Sequence, residues 1–257
     1  MRHPRLPVLA LACAATLTQL AACSNAAERP PLPTLHPNAP TIVLQAGLGD
    51  SSDVWRQVRQ QLPAGAVVVA PDRPGYGREP FAEGPRDPCT IARELHETLR
   101  RSGHPPPYLL VGHSLGGLYQ YAYARLYPAD VKGLLLLEAT HPHHLERVTA
   151  ESPSSATLIK VARMAMGRAP AAEFDAQTRC LEAWEAAPPL GVPTRVLMRA
   201  DFSGLEAGSF EPVVRGLQQD WLRLTGARRV ETVAGTGHYL QKDQPRVVAE
   251  AIVEMAR

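Results

Sequence analysis

Lysine is nearly missing from this chain: Lys132, Lys160 and Lys242 are the only three among 27 basic residues, and arginine supplies the rest. An excess of one charge sign is also missing. The 27 basic residues meet 25 acidic ones, for a formal net charge of +2. That balance provides no basic field for a polyanion, so nucleic acid is excluded as a partner. No apolar run reaches the ~20 residues that a membrane-spanning helix needs. The longest, from Leu6 to about Leu20, falls short. Of nine histidines, three cluster in His141-Pro142-His143-His144, but no carboxylate or cysteine stands at ligand spacing beside them. That run reads as a loop rim, so no metal site is expected. Cysteine is sparse as well, with four in all.

What is present sorts into three parts. Arg2, His3 and Arg5 precede the short apolar run, which ends in Leu20-Ala21-Ala22-Cys23. This resembles a bacterial lipoprotein signal, with residues 1–22 as the signal peptide and Cys23 as the acylated mature N-terminus. A plain secretory signal is the alternative. Each acyl methylene buried in a bilayer contributes about 0.8 kcal/mol, so a lipid at Cys23 implies membrane attachment. Ser24 resembles an outer-membrane sorting residue. The expected address is therefore the bacterial cell envelope, in the periplasm and anchored to the outer membrane. Residues 23–40, rich in proline and alanine, read as a tether. Cys13 lies in the signal peptide, which leaves Cys89 and Cys180 in the body. An oxidising periplasm permits a disulfide between them, but spacing alone leaves the pairing open.

The chain is 45% apolar, and residues 41–257 are long enough for one large α/β domain. Runs of strand length, apolar in the main except for the last, occur at Thr41-Ile42-Val43-Leu44-Gln45, Val67-Val68-Val69-Ala70, Leu109-Leu110-Val111, Gly133-Leu134-Leu135-Leu136-Leu137, Thr194-Arg195-Val196-Leu197-Met198 and Arg228-Arg229-Val230-Glu231-Thr232-Val233. Helical spacing separates most of them: Val54, Trp55, Val58 and Leu62; Ile91, Leu95 and Leu99; and at the end Val247, Val248, Ala251, Ile252 and Met255. Unbroken apolar strands alternating with amphipathic helices predict a mostly parallel sheet covered on both faces. Residues 139–190 break the alternation and read as a small helical lid over the strand ends.

The third apolar run ends in Gly112-His113-Ser114-Leu115-Gly116, and helical spacing follows at once. A Gly-x-Ser-x-Gly between strand and helix is a nucleophile elbow, which lifts Ser114 Oγ above the sheet. A serine nucleophile needs a base. His238, in Gly237-His238-Tyr239 after the last strand run, fits the chain order of serine, acid, histidine. His113 adjoins the serine but is expected to point elsewhere.

Three motifs in order, Asp72-Arg73-Pro74-Gly75-Tyr76-Gly77, Gly112-His113-Ser114-Leu115-Gly116-Gly117 and Gly237-His238-Tyr239-Leu240-Gln241, resemble those of the α/β-hydrolase fold family in its single-domain lipase, esterase and C–C hydrolase form. The resemblance runs from about residue 41 to 256. It implies an α/β-hydrolase fold, no cofactor, and an oxyanion hole made by the N–H groups of Leu48 and Leu115. Ala46 stands where the family usually has histidine, which changes how that loop is held. The acid has two candidates. Glu138 closes the fourth strand, where a buried carboxylate needs a partner and an imidazolium would serve. Asp201, past the fifth strand, is the alternative.

These residues imply a serine hydrolase that cleaves carboxylic esters of a small-molecule acyl substrate through an acyl-enzyme. The same triad also suits C–C or amide hydrolysis, or acyl transfer. A non-catalytic binding protein on the same scaffold is the remaining alternative. Aspartate-nucleophile chemistry of the dehalogenase and epoxide hydrolase type is disfavoured, because position 114 is serine.

Overall fold

The computed structural model describes residues 30–257. The proposed signal peptide and Cys23 lie outside the described residues.

Six strands form one sheet: β1 (Thr41–Gln45), β2 (Val68–Val69), β3 (Tyr108–His113), β4 (Val131–Leu137), β5 (Thr194–Arg199) and β6 (Val230–Val233). Their spatial order is β2-β1-β3-β4-β5-β6, and every pairing is parallel. All six runs of the sequence appear as strands. The sequence expects Arg228 and Arg229 in the last one, but that strand starts at Val230.

Side chains alternate across a strand, so each strand feeds two cores. Val43, Leu110, Leu134, Leu136 and Val196 point to one face. There they meet Leu95 and Leu99 of α2 (Pro88–Arg101), Leu118 and Tyr119 of α3 (Leu115–Leu126), and Trp221. Ile42, Leu44, Leu109, Val111, Leu135 and Leu137 point to the other. That layer is closed by Val58 of α1 (Arg56–Gln61) and by Val248 and Ile252 of the C-terminal helix (Pro245–Ala256). Leu32 and Leu35, at the end of the proposed tether, pack against the second core.

Between β4 and β5 the chain leaves the sheet. It forms α4 (His144–Glu151), α5 (Pro153–Met164) and α6 (Arg168–Ala176). Within the expected helical lid of residues 139–190, α-helix ends at Ala176. Beyond it lie turns and a single 3-10 turn, Glu182–Trp184. Cys180 in this stretch is disulfide-bonded to Cys89 in the first turn of α2. A further helix, α7 (Phe210–Thr225), joins β5 to β6 and buries Val213, Val214, Leu217, Trp221 and Leu224. After β6 come α8 (Leu240–Asp243) and the C-terminal helix, α9.

Candidate active site

Ser114 sits between β3 and α3 with φ 51° and ψ −127°. A non-glycine residue at positive φ is strained by about 1–3 kcal/mol and needs its surroundings to hold it. Three hydrogen bonds do so here. Ser114 N–H donates to Leu137 O (3.0 Å), and Ser114 O accepts from Gly117 N–H (2.9 Å) and Thr140 N–H (3.0 Å). Both flanking glycines are required by close approach. A Cβ on Gly112 would lie 2.5 Å from Gly116 O, and one on Gly116 would strike the carbonyl oxygens of Gln45 and Ala46. The strand therefore turns into the helix within a single residue, and the serine is the residue that turns.

A pocket of about 180 Å³ opens over this residue. Leu48, Ser114 and Leu115 line its floor, and Thr140, His144, Leu145, Ile159, Ala162, Met166, Phe174 and Gln177 line the rest. Its walls thus come mainly from the segment between β4 and β5. Leu115 is the first residue of α3, where backbone N–H groups have no intrahelical acceptor and the helix dipole favours negative charge.

The loop carrying Leu48 is held from below. Arg73 Nη1 donates to Ala46 O (2.7 Å) and Nη2 to Gly47 O (2.9 Å). The same guanidinium forms a buried two-point pair with Glu173 of α6, Nε to Oε1 at 2.8 Å and Nη2 to Oε2 at 3.0 Å. Tyr76 Oη donates to Glu173 Oε2 (2.8 Å). Asp72 Oδ1 accepts from Ser52 N–H (2.5 Å).

His238 lies after β6. Its backbone carbonyl accepts a hydrogen bond from His113 Nε2 (2.8 Å), and the two rings are 4.7 Å apart. A carbonyl can only accept, so His113 carries its proton on Nε2. Sequence reasoning missed the task of His113, which is to fix the His238 loop. The available signal is its place in a fully buried strand, where a polar ring must find a partner. His238 Nδ1 is buried and has no hydrogen-bond partner among the described residues. Burial first, then the positive neighbourhood of His113, Arg199, His144 and Lys242, pushes the His238 pKa well below the usual histidine value.

Glu138, at the tip of β4, has φ 46° and is 3% exposed. The sequence reading expects an imidazolium beside it. The structure supplies an arginine instead: Glu138 Oε1 accepts from Arg199 Nε (2.8 Å) and Oε2 from Arg199 N–H (2.9 Å). Arg199 also binds Glu206 (2.6 Å). Burial raises the Glu138 pKa, and Arg199 opposes that shift. Each carboxylate oxygen has two acceptor sites, so the pair leaves Glu138 capacity for another donor. Asp201 is exposed, and its N–H donates to Thr236 O (3.0 Å), two residues from His238.

The three neighbouring histidines of the sequence go to different partners. His141 Nε2 lies 3.1 Å from Asp220, His143 contacts Glu146 and Glu185, and His144 faces the pocket beside Ser114. Burial lowers the pKa of His113 and His144 to about 4 and that of His141 to about 3. Such groups are neutral when folded and bind protons on unfolding. Their stabilisation is complete above pH ~6.5 and is lost as pH falls towards 4, each group steepening the slope by about 1.4 kcal/mol per pH unit. Thermal melts are expected to be level near pH 7–8 and to drop steeply between about pH 6.5 and 4. A melting temperature that stays level across that acid range contradicts this.

The comparisons with known proteins agree with this architecture. Residues 40–155 match a family model described as alpha/beta hydrolase fold. In solved structures, the type II thioesterase BorB from the borrelidin biosynthetic cluster superposes with a TM-score of 0.63 at 21% identity, covering 89% of this chain and 95% of that one. This chain has the α/β-hydrolase fold. Among curated relatives, the pimeloyl-[acyl-carrier protein] methyl ester esterase of Edwardsiella ictaluri is 28% identical over 202 residues, covering 72% of this chain and 74% of its own length. The uncharacterized protein YbdG of Bacillus subtilis is 31% identical over 104 residues, 40% of this chain and 32% of its own length. The chain spans only about a third of the length of the curated relatives it matches first.

Proposed function

We propose that this protein is a serine hydrolase that cleaves carboxylic esters through an acyl-enzyme. The observation that carries the reading is Ser114, held at φ 51° on a strand-to-helix turn and opening into a pocket whose floor also carries Leu48 and Leu115. In this reading His238 takes the Ser114 proton as the hydroxyl attacks the acyl carbon. The N–H groups of Leu48 and Leu115 stabilise the oxyanion, His238 passes its proton to the departing alcohol as the ester C–O bond breaks, and the neutral imidazole then activates the water that releases the acid. Glu138 is the first candidate to orient His238 and Asp201 the second. An ester hydrolase among the relatives supports the bond type.

The acyl group this pocket fits is small. An apolar cavity of about 150 Å³ accepts benzene, so the 180 Å³ here seats a group of similar size beside Ser114, and a longer chain has to extend out through the open side of the pocket. The segment 139–190 acts as the lid that sets this limit. We further propose that the protein works in the periplasm, attached to the outer membrane by a lipid on Cys23.

One observation favours a second reading, a binding protein on this scaffold: His238 Nδ1 has no partner among the described residues. The two readings separate in one experiment. A fluorophosphonate probe is expected to label wild-type protein at Ser114 and not Ser114→Ala, and p-nitrophenyl acetate and butyrate should be turned over faster than the laurate ester. Well-folded protein that neither labels nor turns over any ester is the result expected of the binding protein.

A further inference from the structure

The Gly47–Leu48 peptide unit has one end in the proposed oxyanion hole and the other on a buried arginine. Its carbonyl accepts from Arg73 Nη2 at 2.9 Å. A trans peptide is planar, with C=O and N–H pointing in opposite directions. Fixing the carbonyl therefore fixes the N–H of Leu48, which cannot rotate independently. This constraint is needed here. Position 47 is glycine, where an added Cβ would be crowded by His113 Nδ1 and Ser114 Cβ at 3.1 Å, and glycine leaves the adjoining peptide free to turn. A cation on the carbonyl also polarises the peptide and makes its N–H a stronger donor.

Arg73 is aimed by a residue 100 positions away. Glu173 of α6 is fully buried and grips the guanidinium at two points. The guanidinium also lies over the Tyr76 ring, 4.4 Å from its centroid, and 5.2 Å from that of Tyr119. The same cluster reaches Gly49, whose N–H donates to Tyr76 Oη at 3.5 Å, while that hydroxyl donates onward to Glu173. Arg86 stands 3.9 Å from Glu173 and is bonded to Glu94 at 2.6 Å.

We propose that Glu173 is a positioning residue for the oxyanion hole: from the segment between β4 and β5 it aims Arg73 at the Gly47 carbonyl and so sets the direction of the Leu48 N–H. This rests on the hydrolase reading above. It means that seating α6 on the body and completing the hole are one event, and the segment that shapes the pocket also arms it.

The test replaces the pair as a unit. Removing one member strands a buried charge, whereas an apolar pair of similar volume is tolerated. Arg73→Met/Glu173→Leu is expected to fold, with a lower melting temperature because the Ala46 and Gly47 carbonyls and the Tyr76 hydroxyl lose their partners. Its kcat on p-nitrophenyl butyrate should fall about 100-fold, the scale of losing one oxyanion donor, with KM little changed. Phenylboronic acid provides a second readout. Its boron bonds to Ser114 Oγ, the serine proton passes to His238, and the tetrahedral adduct places an anionic oxygen in the hole. Its affinity should fall by the same factor as kcat, while binding of butyramide, a ground-state analogue, should not change. If the double variant does not fold, Glu173→Gln decides on the same two ratios. Wild-type kcat and boronate affinity in a folded variant overturn the proposal, as does an equal loss of boronate and butyramide binding. Failure of the hydrolase reading is distinguishable, since the wild type itself would then neither label with fluorophosphonate nor turn over ester.

Discussion

Glu138→Gln is expected to lower kcat by up to about four orders of magnitude, the loss seen when a triad aspartate becomes asparagine. It should also lower the melting temperature. Glu138 and Arg199 form a buried pair in which each side chain is 2–3% exposed. Breaking such a pair costs about 3–5 kcal/mol, moderated here because Arg199 keeps Glu206. In a domain of this size each kcal/mol corresponds to roughly 2–4 °C. Asp201→Asn is the matched control. Asp201 is exposed, so its amide should melt like the wild type and retain most of the activity. Steady-state rates with melting curves on both variants check this. A large loss of kcat in Asp201→Asn at unchanged stability transfers the acid role to Asp201.

Removing the disulfide should have the second large effect. Cys89 and Cys180 are 91 residues apart, and closing a loop of that length in the unfolded chain is worth up to about 4–5 kcal/mol, with 2–4 typical. Cys89→Ala/Cys180→Ala is expected to melt roughly 5–15 °C lower, from the same conversion. The effect on turnover should be greater than that on stability alone suggests. Cys180 ends the stretch that follows α6, and α6 carries Glu173. Activity measured well below the melting temperature should therefore fall in the double variant and in dithiothreitol-treated wild type. A reduced protein with unchanged melting temperature contradicts the loop-entropy account.

Most of the sheet is legible in the sequence for a simple reason. A strand buried on both faces is an unbroken apolar run, and the central strands β1, β3 and β4 are buried along almost their whole length. The elbow is legible because its glycines are forced by contacts of 2.5 Å or less that any side chain would violate. Helix α7 is missed although its signal is present: Val213, Val214, Leu217, Trp221 and Leu224 recur at helical spacing. The partners of the buried charges are a different matter. Glu138 calls for a counter-charge, and both an imidazolium and an arginine satisfy that demand. Only the pairing of β4 with β5 brings Arg199 alongside. Likewise nothing local in Arg73 or Glu173 announces the other, since their meeting depends on where α6 comes to rest. Pattern reveals which groups must be satisfied, and tertiary placement decides by whom.

The disulfide and the Glu173 contact together limit how this scaffold can be re-engineered. Grafting a foreign stretch between β4 and β5 is an obvious route to a new substrate range, because most pocket walls come from there. A graft without a carboxylate at position 173 would leave Arg73 buried and unbalanced, and one without a thiol at 180 would orphan Cys89. Successful chimaeras are those that transplant these two anchor points along with the walls.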